Sequence, residues 1–133
     1  MNIKLIEIPK IANVKGSIGV VENDTIPFDI KRVYYLYDIP STAKRGGHAH
    51  KKLQQVLIAL SGSFDVVLKD GKTKEVVTLK TPDKGLLINS NIWREIENFS
   101  SGAVCLVLAS EAYDEDDYIR SYKAYLNYLT SNK

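Results

Sequence analysis

The stretch Arg45-Gly46-Gly47-His48-Ala49-His50 decides how the rest of this chain reads. It carries the only 2 histidines among 133 residues. In an extended strand, positions i and i+2 project to the same side, so both imidazoles enter one space. Gly46 and Gly47 leave room beside them. Three readings fit such a pair. The histidines are ligands of a metal, a base and its partner working near neutral pH, or two structural side chains.

Outward from this stretch the chain is a series of short β-type runs. Ile18-Gly19-Val20-Val21 reads as a strand, and Lys31-Arg32-Val33-Tyr34-Tyr35-Leu36-Tyr37 is the clearest one, rich in β-branched and aromatic residues. Gln55 to Leu60 follows. Phe64 to Leu68 pairs with Glu75 to Leu79 across Lys69-Asp70-Gly71-Lys72, whose Asp-Gly step favours a hairpin turn. Gly85 to Ile88 and Ala103 to Leu108 read as buried strands. Many short strands at even spacing indicate an all-β sandwich or barrel. The end of the chain differs. After Asp114-Glu115-Asp116-Asp117, apolar and aromatic residues recur at 118, 119, 122, 125, 126 and 129, which is helical spacing. The acidic run suits a helix N-terminus. The expectation is one domain over 1–133, with a barrel over about 1–112 and a C-terminal helix over about 115–130.

Composition removes several classes of function. Hydrophobic residues make up 44% and charged residues 26%, the proportions of a globular chain with one core. No apolar run approaches the roughly 20 residues of a membrane helix. Met1-Asn2-Ile3-Lys4-Leu5 does not read as a signal peptide, so a cytoplasmic location is expected, without membrane attachment. The net charge of +2, with basic residues in pairs such as Lys31-Arg32 and Lys51-Lys52, gives no case for nucleic acid. A few cations converging in a pocket would instead suit a phosphate-bearing small molecule. The lone cysteine, Cys105, lies in an apolar run and reads as a buried thiol.

The histidine strand resembles the first cupin motif, in which a His-x-His pair is followed by an acidic ligand and a later glycine. Here the pair is followed by Gln54-Gln55 and Gly62, and Arg94 stands where the second motif has its third histidine. By this resemblance the fold is a cupin double-stranded β-helix, a jelly-roll barrel. The departures argue against a metal. Arginine stays protonated, does not ligate and repels a divalent cation, and glutamine replaces no carboxylate charge. No metal and no cofactor are expected, and acid–base work on an anionic substrate is the favoured chemistry.

A closer resemblance covers about residues 15–125. Ile26-Pro27-Phe28-Asp29-Ile30-Lys31-Arg32-Val33-Tyr34-Tyr35, the His48-Ala49-His50-Lys51 segment, Leu60-Ser61-Gly62-Ser63, Trp93 and Leu108-Ala109-Ser110-Glu111-Ala112-Tyr113-Asp114-Glu115-Asp116-Asp117-Tyr118-Ile119-Arg120 are similar to the sugar 3,4-ketoisomerases acting on dTDP-4-keto-6-deoxyglucose. The resemblance implies a homodimer with exchanged strands and a dTDP-linked keto sugar as partner. It also implies a role ahead of an aminotransferase and an acyltransferase in making dideoxy-amino sugars for lipopolysaccharide and O-antigen. It assigns His48 as the base at C3, with His50 assisting. Tyr34 is then a hydrogen-bond donor to the sugar or its enediolate. Arg32, Arg45 and Lys15 are candidates for the diphosphate, and Gln54, Gln55, Trp93 and Arg94 for other substrate contacts. Lys15 stands where the family commonly has arginine, and Arg94 where some members have histidine. The competing readings are a sugar-nucleotide epimerase of the related cupin type, a non-catalytic sugar-binding module, and a metal-dependent enzyme.

Overall fold

In the computed structural model, which describes residues 1–131, twelve strands precede one helix. The strands are β1 (Lys4–Glu7), β2 (Lys10–Asn13), β3 (Gly16–Gly19), β4 (Arg32–Leu36), β5 (Arg45–His50) and β6 (Gln55–Ser61). They continue with β7 (Phe64–Lys69), β8 (Lys74–Leu79), β9 (Lys84–Ile88), β10 (Trp93–Glu97), β11 (Val104–Ala109) and β12 (Tyr118–Ile119). The helix α1 spans Tyr122–Ser131. Asn132 and Lys133, the end of the expected domain span, lie outside the described residues.

All pairings are antiparallel. One five-stranded sheet runs β1-β9-β6-β11-β4 and the other β12-β5-β10-β7-β8, while β2 and β3 form a separate hairpin. Two sheets facing each other form the jelly roll that the cupin resemblance implies. The hairpin predicted at Asp70-Gly71 joins β7 to β8. Gly71 takes a φ of 92°, and the Asp70 carboxylate accepts from the backbone N–H of Lys72 (2.9 Å) and Thr73 (2.7 Å). Alternation does the sorting. On β7, Phe64, Val66 and Leu68 turn inward and meet Leu57, Leu86, Phe99, Cys105 and Val107 in the core. Each fully buried side chain of this size contributes roughly 1.5–3 kcal/mol. Cys105 is buried as expected, and burial raises its thiol pKa to about 12.

The first expected strand shifts. Gly16–Gly19 is extended rather than 18–21, and every residue of β2 and β3 is exposed. The C-terminal expectation needs a larger correction, because the helix begins at Tyr122 and not near 115. Glu115–Asp117 forms a single 3-10 turn, with the Asp114 side chain accepting from Asp116 N–H at 3.1 Å. Tyr118–Ile119 then pairs as β12 with His50 and Ala49 of β5. The helix starts only after Ser121, whose hydroxyl accepts from Ala124 N–H (3.2 Å) in the manner of an N-cap. Its Tyr125 is fully buried, donating to the carbonyls of Lys69 (3.2 Å) and Asn91 (2.7 Å).

Candidate active site

The cavity at one end of the barrel measures about 350 Å³. Strand alternation supplies its walls. Arg32, Tyr34 and Leu36 come from β4, Gln55 and Leu57 from β6, Arg94 and Ile96 from β10, and Val107 from β11. On β5 the alternation is interrupted. Arg94 pairs with His48 but Ile96 pairs with Arg45, so Gly46 and Gly47 together oppose the single residue Glu95. This is a β-bulge, and Gly46 takes the left-handed φ of 72° that such a bulge asks of its first residue. The bulge brings Arg45, Gly46, Gly47 and His48 to the same cavity.

The two imidazoles share a face, as their spacing predicts, with ring centroids 4.7 Å apart and nearly perpendicular. They do not share a surface. His48 lines the cavity, whereas His50 is fully buried. Tyr118 of β12 packs on both, with its ring 5.0 Å from His48 and 4.3 Å from His50. Among the described residues neither His50 nitrogen has a hydrogen-bond partner, but the Asp117 carboxylate lies 3.4 Å from Nδ1. That carboxylate also accepts from the backbone N–H of Lys52 (2.8 Å) and Leu53 (3.1 Å), tying the tail of the chain to the turn after the histidine strand.

Arg94 dominates the electrostatics. It is 1% exposed and, among the described residues, has no carboxylate partner. Instead it donates to Gln55 Oε1 at 2.6 Å and to the Ile92 carbonyl at 3.1 and 3.3 Å. A buried cation without a counter-charge depresses neighbouring basic groups. Burial, followed by Arg94, lowers the pKa of His48 to about 2 and that of His50 to about 3. Both rings are therefore neutral bases at physiological pH. Burial also raises the Tyr34 pKa, so the phenol keeps its proton. Among the described residues no group of three or more His, Cys, Asp or Glu is placed to hold a metal ion.

Further cations surround the opening. Arg32 stacks on Tyr34 (5.0 Å) and Tyr113 (5.6 Å), and its buried Nε and Nη2 have no hydrogen-bond partner among the described residues. Arg120 reaches the cavity from the segment after β12, stacked on Tyr118 at 4.2 Å and held by two 2.8 Å hydrogen bonds to Glu115.

Three residues singled out from the sequence lie elsewhere. Trp93 alternates with Arg94 and therefore faces outward, where it packs beneath α1 against Tyr122 and Tyr125. Gln54 stands before β6, with its backbone bonded to Ser110. Lys15 is exposed in the turn between β2 and β3. Conversely, Tyr118, Arg120 and Asp117 join the site without being singled out by the sequence, where their Asp-Tyr-Ile-Arg string reads as the start of a helix.

A family profile described as "FdtA: WxcM-like, C-terminal" matches residues 1–130. The TDP-4-oxo-6-deoxy-α-D-glucose-3,4-oxoisomerase of Aneurinibacillus thermoaerophilus is 47% identical over 130 residues, 97% of this chain and 94% of the relative. The 3,4-ketoisomerase QdtA of Thermoanaerobacterium thermosaccharolyticum was solved as a histidine-to-asparagine variant with TDP-4-keto-6-deoxyglucose bound. It superposes with a TM-score of 0.94 at 44% identity, covering 98% of this chain and 95% of that one. The TDP-quinovose 3,4-ketoisomerase WlaRB of Campylobacter jejuni is 50% identical with a TM-score of 0.89, covering 95% and 98%. With its jelly-roll barrel and its histidine strand opening on a cationic cavity, this chain belongs to the FdtA (WxcM-like, C-terminal) family of sugar 3,4-ketoisomerases and is an isomerase.

Proposed function

We propose that the chain converts TDP-4-keto-6-deoxyglucose to a TDP-3-keto-6-deoxyhexose, with His48 moving the carbon-bound proton. The observation that carries this reading is a neutral imidazole lining a cavity beside a protonated phenol and a buried guanidinium. In the first half of the reaction His48 takes the proton from C3. The C–H electron pair becomes the C3=C4 bond, and the carbonyl pair moves onto O4. Tyr34 and Arg94 meet the developing oxyanion with a hydrogen bond and a positive potential. In the second half the O3 proton passes to O4, O3 becomes the new carbonyl oxygen, and the imidazolium returns its proton at C4. Atoms and electrons balance without an external oxidant.

The depressed pKa suits this cycle. In the empty site burial, and after it Arg94, keeps His48 unprotonated. A bound diphosphate and the enediolate add negative charge, which makes imidazolium formation easier when it is needed. Arg32, with two unpartnered nitrogens, and Arg45 are assigned to the diphosphate. His50 with Asp117 holds the orientation of the ring pair. Similarity to the TDP-quinovose enzyme supports the gluco configuration at C4 of the product. The exposed β2–β3 hairpin, with Ile11 and Ile18 on it, and the outward Val33 and Tyr35 of edge strand β4 support a homodimer with exchanged strands. A role in dideoxy-amino sugar supply for surface polysaccharide, in the cytoplasm, completes the reading.

Incubation with TDP-4-keto-6-deoxyglucose in D₂O, followed by NMR, tests it. A 3-keto product with deuterium at C4 is expected, together with deuterium at C3 of the recovered 4-keto substrate. Deuterium at C5 favours an epimerase, and binding without turnover a non-catalytic module.

A further inference from the structure

Gln55 sits between the buried cation and the phenol, and hydrogen-bond logic fixes which way its amide points. Arg94 has only donors, so the Gln55 atom 2.6 Å from Arg94 Nη1 is the oxygen. The amide nitrogen then faces Tyr34 and donates to the hydroxyl oxygen at 2.9 Å. With its oxygen accepting on that side, Tyr34 directs its own proton elsewhere. Among the described residues the phenol donates to no protein atom, and the side chain lines the cavity. Gln55 itself is 2% exposed, so water does not compete for the amide.

We propose that Gln55 is a positioning residue, which transmits the fixed donor character of Arg94 through its amide and thereby aims the Tyr34 proton into the cavity as the oxyanion donor. This deepens the ketoisomerase reading and rests on it for its catalytic consequence. The chain Arg94 to Gln55 to Tyr34 runs in one direction, each member donating to the next, and each donation polarises the following donor. Reversing one link reverses the phenol.

Gln55→Glu performs that reversal with little change of shape. A carboxylate only accepts. It pairs with Arg94 and takes the Tyr34 proton away from the cavity. A purely structural role predicts a variant as active as the parent, since a buried cation has gained a counter-charge. The relay predicts a protein at least as heat-stable as the parent, with kcat lower by about a hundredfold and KM within about twofold. In the Tyr34→Phe background the same substitution is expected to cost nothing further. Full activity in Gln55→Glu, or an equal loss with and without Tyr34, overturns the proposal. Should Gln55→Glu fail to fold, Gln55→Met is read in the same two backgrounds, and a loss that persists in Tyr34→Phe overturns it equally. Neutron diffraction from the perdeuterated parent separates this inference from the activity. A Tyr34 deuteron pointing into the cavity upholds the relay even if no ketoisomerase turnover is found, and a deuteron on the Gln55 side sinks it even if turnover is high.

Discussion

The two halves of the barrel interior are built from the same strands and do opposite things. On β6 the inward ladder reads Gln55, Leu57, Ala59, and on β10 it reads Arg94, Ile96. On β4 it reads Arg32, Tyr34, Leu36. Two residues along each strand, about 7 Å, the lining changes from polar to apolar. Beyond that line Phe64, Val66, Leu86, Phe99 and Cys105 pack together as buried core. The comparison teaches that the closed half holds the walls while the open half accepts the cost of an unpaired buried guanidinium. Substitutions in the polar half should therefore change chemistry with little loss of fold, and those in the apolar half the reverse.

The largest expected effect breaks the polar half. His48→Asn should lower kcat by about a thousandfold, because it removes the base proposed for the carbon acid. Its melting temperature should stay within a few degrees of the parent, as read by calorimetry beside the NMR assay. Comparable retention of activity would remove His48 from the mechanism. In the apolar half, Phe64→Ala should cost about 3–5 kcal/mol of stability by urea titration. The fraction still folded should turn over with a near-parental kcat. A specific loss of kcat there would mean that the two halves are not separable.

A smaller effect tests the seam between them. Gly46→Ala meets only ordinary contacts, the nearest being Ile96 Cγ1 at 3.6 Å, but it forces a side chain onto a φ of 72°. The expected cost is about 1–2 kcal/mol, together with a fall in kcat as His48 shifts. An increase in stability would show that the bulge does not need its glycine. The smallest effect concerns pH. Both histidines have folded pKa values below the ordinary 6.5, so the unfolded chain takes up protons below pH 6.5 that the folded chain refuses. Stability is full above that pH and should decline between about pH 6.5 and 5, by roughly 1 kcal/mol per pH unit for fully buried His50 and less for His48. His50→Gln should flatten this slope in urea titrations at pH 7, 6 and 5. An unchanged slope would place the acid sensitivity in other groups.

Much of the site was legible because its signals are local. The i, i+2 pair of His48 and His50, the parity of Arg32 and Tyr34, and the Asp70-Gly71 turn each depend on residues within one strand or one turn. The errors have a common cause. The acidic run Asp114 to Asp117 suits a helix N-terminus and the helical period starts at Tyr118, yet Asp117 is committed to backbone groups 64 and 65 residues earlier, and β12 pairs with β5. Trp93 and Arg94 are neighbours in sequence and on opposite faces in space, so substrate contact for both was never compatible with a strand. The period of the pattern was visible, but the partner that selects among conformations was not.

By itself, the sequence determined an all-β chain of short strands with two imidazoles on one face, since alternation is a property of the local chain, and its resemblance to the cupins implied the jelly roll. Only the tertiary structure decided that His48 faces the cavity while His50 is sealed behind it. It also decided that Arg94 is buried without a counter-charge and that Gln55 joins it to Tyr34. Those outcomes depend on which strands meet and in what register, and register is settled by the packing of the whole barrel rather than by any one of its strands.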